Sequence, residues 1–179
     1  MKLTKLALVM GLGMSMVTGA ATAADAGHGT VTFEGSIIDA PCSIMSDSVD
    51  QTVQLGEVAA HALADGGTST PAKFSIKLGS CDASTITDGV KITFTGNEDA
   101  AAAGHLAFGA GSSAKGASIV IADSEGKALD LGAESEAVAL YDGDNSLSFQ
   151  AYLQGSEASG ATVTPGSFSS VTNFTLAYN

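Results

Sequence analysis

Short runs in which apolar residues alternate with polar ones recur along most of the chain: Val53 and Leu55; Phe74, Ile76 and Leu78; Ile92 and Phe94; Ile119 and Ile121; Leu147, Phe149, Ala151 and Leu153; Phe174, Leu176 and Tyr178. Successive side chains of a strand point to opposite faces, so each run predicts a strand with one face inward. The same alternation opens the exported part, where Val31, Phe33 and Ile37 share a face with Gly29 and Gly35 while Thr30, Thr32, Glu34, Ser36 and Ile38 take the other. Turn-formers separate the runs, among them Asp65-Gly66-Gly67, Asp88-Gly89, Thr95-Gly96-Asn97, Glu125-Gly126-Lys127 and Asp142-Gly143-Asp144-Asn145. They supply positive φ angles and side-chain-capped turns. Many short strands without long helices between them predict an all-β sandwich. Two stretches stand apart from this pattern: Glu57 to Leu63 reads as a short helix or bulged strand, and Asp99 to Ala103 as a helical turn. Phe108 to Gly116, rich in Gly and Ala, reads as a loop with little to bury, and Asp99 to Gly116 as outward-facing and open to variation.

The first residues read as a signal rather than as structure. Lys2 and Lys5 form a basic start, Leu6 to Val17 an apolar stretch, and Ala21-Thr22-Ala23 a small-residue cleavage site, which together describe a secretory signal peptide over residues 1–23. The apolar stretch is shorter than the about 20 residues a spanning helix needs. Removing 23 of the 179 residues leaves 156, the size of one domain with a proper core. The formal net charge of −12 becomes −14 once Lys2 and Lys5 have gone, so nucleic acid and anionic membrane are poor partners.

Cys42 and Cys81 both lie in the exported part. In an oxidising compartment they most simply form one disulfide. A metal site would want more ligands near the pair, and a redox motif the closer C-x-x-C spacing. Three histidines, His28, His61 and His105, are scattered without a pairing, which argues against a secreted copper or zinc enzyme. The acidic run Asp142 to Asn145 shares a composition with calcium loops but passes directly into a strand pattern, and a hairpin turn is the expectation. Neither a nucleophile elbow nor a phosphate-binding loop is visible, so no enzyme activity, metal or cofactor is expected.

On the residues already named, the chain resembles the major pilins of chaperone-usher fimbriae, the type 1 and P-pilus kind. Gly29-Thr30-Val31-Thr32-Phe33-Glu34-Gly35-Ser36-Ile37-Ile38-Asp39-Ala40-Pro41-Cys42-Ser43-Ile44 is similar to that family's N-terminal extension and first cysteine. Val49-Asp50-Gln51-Thr52-Val53-Gln54-Leu55-Gly56 is similar to its second-strand signature, and Leu78-Gly79-Ser80-Cys81-Asp82 to the surroundings of the disulfide partner. The end agrees as well, with Gly166 fourteenth from the terminus, then Phe168, Phe174, Leu176 and a penultimate tyrosine, Tyr178.

The resemblance implies an immunoglobulin-like sandwich that lacks its final strand and is completed by donor-strand complementation. It implies a domain organisation of signal peptide 1–23, N-terminal extension 24–40 and pilin domain 41–179. Gly29, Val31, Phe33, Gly35 and Ile37 would form the donor strand; Gly166, Phe168, Phe174, Leu176 and Tyr178 would form the acceptor groove and chaperone-contact surface. The implied partners are other pilin subunits in a homopolymer, a periplasmic chaperone and an outer-membrane usher, with export through the periplasm to a fimbria on the cell surface that supports adhesion. A minor or adaptor subunit, or a subunit that itself binds a host-cell receptor, is the alternative. Without the resemblance, Val31 to Ile37 would read as the first strand of an autonomous sandwich, and alternation alone does not decide whether that segment folds back or reaches across to another molecule.

Overall fold

The computed structural model describes residues 28–158 and 161–179; the signal peptide expected over residues 1–23 lies outside them. The chain divides between Ile37 and Ile38. In the first unit, the described residues run without regular structure, and Val31, Phe33 and Ile37 are 76%, 90% and 104% exposed. The strand expected at Val31 to Ile37 is therefore not formed. A strand needs a ladder partner to satisfy its backbone, and none of the described residues supplies one.

The second unit is a sandwich of antiparallel sheets. Its strands are β1 (Ser43–Ile44), β2 (Ala72–Cys81), β3 (Val90–Gly96), β4 (Glu98–Asp99), β5 (Ala102–Leu106), β6 (Ala117–Asp123), β7 (Gly143–Gly155) and β8 (Thr172–Tyr178). One sheet has the order β1-β2-β7-β6-β5-β4; the other is the pair β3-β8. Alternation governs β7 most plainly: Leu147, Phe149, Ala151 and Leu153 are buried while Asp144, Ser146 and Ser148 are exposed. β7 aligns Phe149 with Phe74 and Leu147 with Ile76 on β2. The sheets meet over Ile76, Leu78, Val90, Ile92, Phe94, Ile121, Leu147 and Phe149. Phe94 presents its edge to Phe149 at 5.2 Å between ring centres, joining one sheet to the other. Cys42 and Cys81 form a disulfide across 4.2 Å between their Cα atoms, tying the start of β1 to the end of β2.

Three local expectations change and one narrows to a single alternative. Asp99 to Ala103 is the turn of a hairpin between β4 and β5, not a helical turn; Asp99 Oδ1 accepts from the Ala101 N–H at 2.9 Å, and Gly104 takes φ +81°. Asp142 to Asn145 leads into β7 rather than turning a hairpin: Asn145 pairs with Leu78 and its side chain brackets the Tyr141 backbone. Glu57 to Leu63 resolves into a short 3-10 helix, Ala60–Gly66, whose Leu63 is buried against β7. Val53 and Leu55 sit in no ladder among the described residues, because the side on which a strand would pair is open.

The two flanks of the sandwich differ. On one, residues 128–138 cross from sheet to sheet: the Leu129 N–H donates to Ile121 O on β6, the Gly132 N–H to Phe94 O and the Val138 N–H to Val90 O on β3. That flank is closed. On the other, β8 has β3 on one side and no ladder partner on its outer side among the described residues.

Candidate functional site: an open cleft beside the last strand

The open flank is a cleft of about 1360 Å³. Its floor is apolar, formed by Phe74 and Ile76 of β2, Leu106 of β5, Ile119 and Ile121 of β6, and Ala151 and Leu153 of β7. One wall is the segment from Val49 to Val58; the other runs from Val163 to Phe174.

The first wall is anchored at its base. The Met45 N–H donates to Lys77 O (2.9 Å), the Lys77 N–H to Ser48 Oγ (3.0 Å) and Gln51 Nε2 to Ser75 O (3.0 Å). Ser48 is wholly buried, so its hydroxyl is a fixed acceptor rather than a solvated one. Lys77 Nζ also meets Asp47 Oδ2 at 2.7 Å, and that hydrogen bond holds the Asp47 carboxyl below its ordinary pKa. Beyond this point Val53, Leu55 and Val58 are half-buried and line the cleft, with no ladder partner among the described residues.

The second wall contains the residues expected to form the acceptor groove. In β8, Phe174 pairs with Phe94, Leu176 with Ile92 and Tyr178 with Val90, and all three pack half-buried against the core. Burial pushes the Tyr178 phenol above its ordinary pKa. Phe174 and Phe168 line the cleft itself, whereas Leu176 and Tyr178 lie further along the same strand. Phe168 stacks on Phe108 with ring centres 4.7 Å apart.

Gly166 has a steric reason. A Cβ there would come within 2.5 Å of Ser113 Oγ and 2.6 Å of Ala114 N, so only glycine lets the wall approach the loop behind it. That loop, read from sequence as outward-facing, also supports the wall: the Ser113 N–H donates to Ser167 O (2.8 Å) and the Gly109 N–H to Ser169 O (2.7 Å). Phe108 and the hydroxyls of Ser112 and Ser113 were not legible as site residues, since nothing local marks a Gly- and Ala-rich stretch as a strut. The expected donor residues Gly29, Val31, Phe33, Gly35 and Ile37 lie in the first unit; a Cβ on Gly29 or Gly35 would meet nothing within 4 Å.

Among the described residues there is no group of three or more histidine, cysteine, aspartate or glutamate side chains able to hold a metal, and the cleft is lined chiefly by apolar side chains. An apolar trough beside an unpaired strand edge can take one thing well, an extended segment that supplies both a ladder and alternating apolar side chains.

A family model described as fimbrial protein matches residues 31–179. The chain belongs to the fimbrial protein family. Among curated relatives it is 51% identical to the major MR/P fimbria protein of Proteus mirabilis over 99% of both chains, and 50% identical to the fimbria A protein of Serratia marcescens over 99% of both. Among solved structures it is similar to the P pilus rod subunit PapA, with a TM-score of 0.69 at 36% identity, covering 78% of this chain and all of that one. A subunit of a chaperone-usher pilus, from a structure concerned with rod uncoiling, gives a TM-score of 0.75 at 36% identity over 86% of this chain and 97% of that one. The sandwich is thus the immunoglobulin-like pilin fold, and the chain is a pilin of the chaperone-usher kind.

Proposed function

We propose that this pilin is the self-polymerising structural subunit of a surface fimbria and that the segment from Gly29 to Ile37 of one copy completes the cleft of the next. The observation that carries the reading is complementarity. The chain holds an apolar cleft beside a strand edge that is unpaired among the described residues and, separately, an alternating segment whose Val31, Phe33 and Ile37 are exposed. Eight residue steps from Gly29 to Ile37 span roughly 26 Å when extended, against roughly 20 Å for the six steps of β8, so the segment is long enough to run the length of the strand and into the wall before it.

Each partner supplies what the other lacks. Backbone pairing satisfies the free edge of β8, and Val31, Phe33 and Ile37 would be taken from water onto Phe74, Ile76, Ile121 and the residues beside them. Burying three such side chains favours association by very roughly 5 to 8 kcal/mol before ordering costs. On this reading Gly166, Phe168, Phe174, Leu176 and Tyr178 form the accepting wall, and residues 24–40 act as an extension to a pilin domain of 41–179. Before assembly the same cleft calls for a temporary occupant, a role that suits a periplasmic chaperone, with an outer-membrane usher receiving the complex.

Deleting residues 29–37 tests the proposal. Cells carrying the deletion should show no fibres by electron microscopy, while the deleted subunit still takes up a peptide of sequence 28–38. Fibres of normal length from the deleted chain would refute donation by this segment.

A further inference from the structure

The wall that precedes β8 is held in an unusual way. The Ser167 N–H donates to Ser113 Oγ (2.9 Å) and the Ser169 N–H to Ser112 Oγ (3.2 Å), while the Ser167 and Ser169 carbonyls accept from the Ser113 and Gly109 N–H groups (2.8 and 2.7 Å). Ser170 Oγ donates to Ala107 O at 2.6 Å. Side-chain hydroxyls of the 107–115 loop thus stand where a neighbouring strand would place carbonyl acceptors. Residues 167 and 169 both turn their backbone groups to the loop, and in an extended chain the residue between them turns its own to the opposite edge. Phe168 makes none of these bonds, lines the cleft and is braced by its stack on Phe108.

We propose that Ser112 and Ser113 are positioning residues: their hydroxyls hold 167–170 extended, so that the accepting edge of β8 is prolonged through Phe168 and stands open to an incoming strand. The inference rests on the donor-strand reading above. Without the clamp, Phe168 and its neighbours would fall inward onto the apolar floor, since burial of exposed apolar surface is favourable, and entry would require lifting them out again.

The test uses the full-length subunit, separated from its chaperone at the moment of mixing with a fluorescent peptide of sequence 28–38, with the rate of peptide uptake and the melting temperature of the peptide-filled product read together. Ser112→Ala combined with Ser113→Ala should slow uptake about fivefold or more, through loss of the hydrogen bonds that the two hydroxyls make to Ser167 and Ser169, and leave the melting temperature of the filled product unchanged, because the inserted strand then holds the wall itself. Ser113→Thr, which keeps a hydroxyl, should retain the original rate. Ser170→Ala, which removes a separate bond of the same wall, should also slow uptake and serves if the double variant does not fold. Uptake at the original rate by either folded alanine variant would overturn the clamp alone. No uptake by the unaltered subunit, or equal uptake of a peptide carrying Phe33→Asp, would overturn the donor-strand reading and the clamp with it.

Discussion

Replacing Phe33 by alanine separates folding from assembly. Phe33 is 90% exposed within its own subunit, so truncating it removes almost no buried surface from the folded chain. The stability of a chaperone-free subunit whose cleft is filled by added 28–38 peptide should change by less than about 0.5 kcal/mol, as for an ordinary surface substitution. In the fibre, the ring would pass from water onto the floor formed by Phe74, Phe94 and Ile121, and full burial of a phenylalanine is worth about 1.5–3 kcal/mol. Most of that is lost with alanine, which predicts dissociation at each junction faster by about one to two orders of magnitude, every 1.4 kcal/mol being a factor of ten. The assay is the denaturant or temperature at which purified fibres release monomer, compared with unfolding of the peptide-filled subunit. Fibres of unchanged resistance, or a peptide-filled subunit destabilised as much as the fibre, would refute the reasoning.

Three other outcomes follow from the fold. Gly155→Ala would place a Cβ on the Leu63 carbonyl oxygen beneath the 3-10 helix, and should destabilise by more than about 3 kcal/mol in urea titration. Reducing Cys42–Cys81 opens a loop with a sequence separation of 39, which the chain-entropy model values at about 4 kcal/mol, measurable as the shift in unfolding with and without dithiothreitol. Burial raises the Tyr178 pKa in the folded state above its unfolded value of about 10, so its contribution is intact below pH 10 and lost as pH rises through the folded pKa. Tyr178→Phe should therefore flatten the alkaline fall in stability, read as melting temperature against pH.

How far the sequence foretold this depends on which side chains had a partner to announce. β2, β3, β7 and β8 were visible because Phe74 and Ile76, Ile92 and Phe94, Leu147 to Leu153, and Phe174 and Leu176 each turn alternate residues to the core, where Leu147 and Phe149 pack in one cluster and Ala151 and Leu153 in a second. β5 was missed because Ala-Ala-Gly-His offers no alternation, and its hairpin depends on Asp99 and Gly104. Val53 and Leu55 alternate like a strand yet join no ladder among the described residues, and Val31 to Ile37 likewise, since alternation reports which face could be buried and not whether a neighbouring strand is there to pair. Phe174 at the cleft, and Leu176 and Tyr178 further along β8, could be picked out as strand residues from their own periodicity, while their place in an accepting wall came from the resemblance. Phe108, Ser112 and Ser113 could not, because they matter through contact with residues some 55 positions away, a separation of 54 in the case of Ser113 and Ser167.

On the donor-strand proposal, the contrast between the flank sealed by residues 128–138 and the flank left open beside β8 would set the valence of the molecule. One seam that receives and one segment that gives, among the described residues, would leave each copy a single successor and a single predecessor. Growth would then be confined to a thread with two unlike ends and no forks, its direction already inscribed in every subunit before the first two meet.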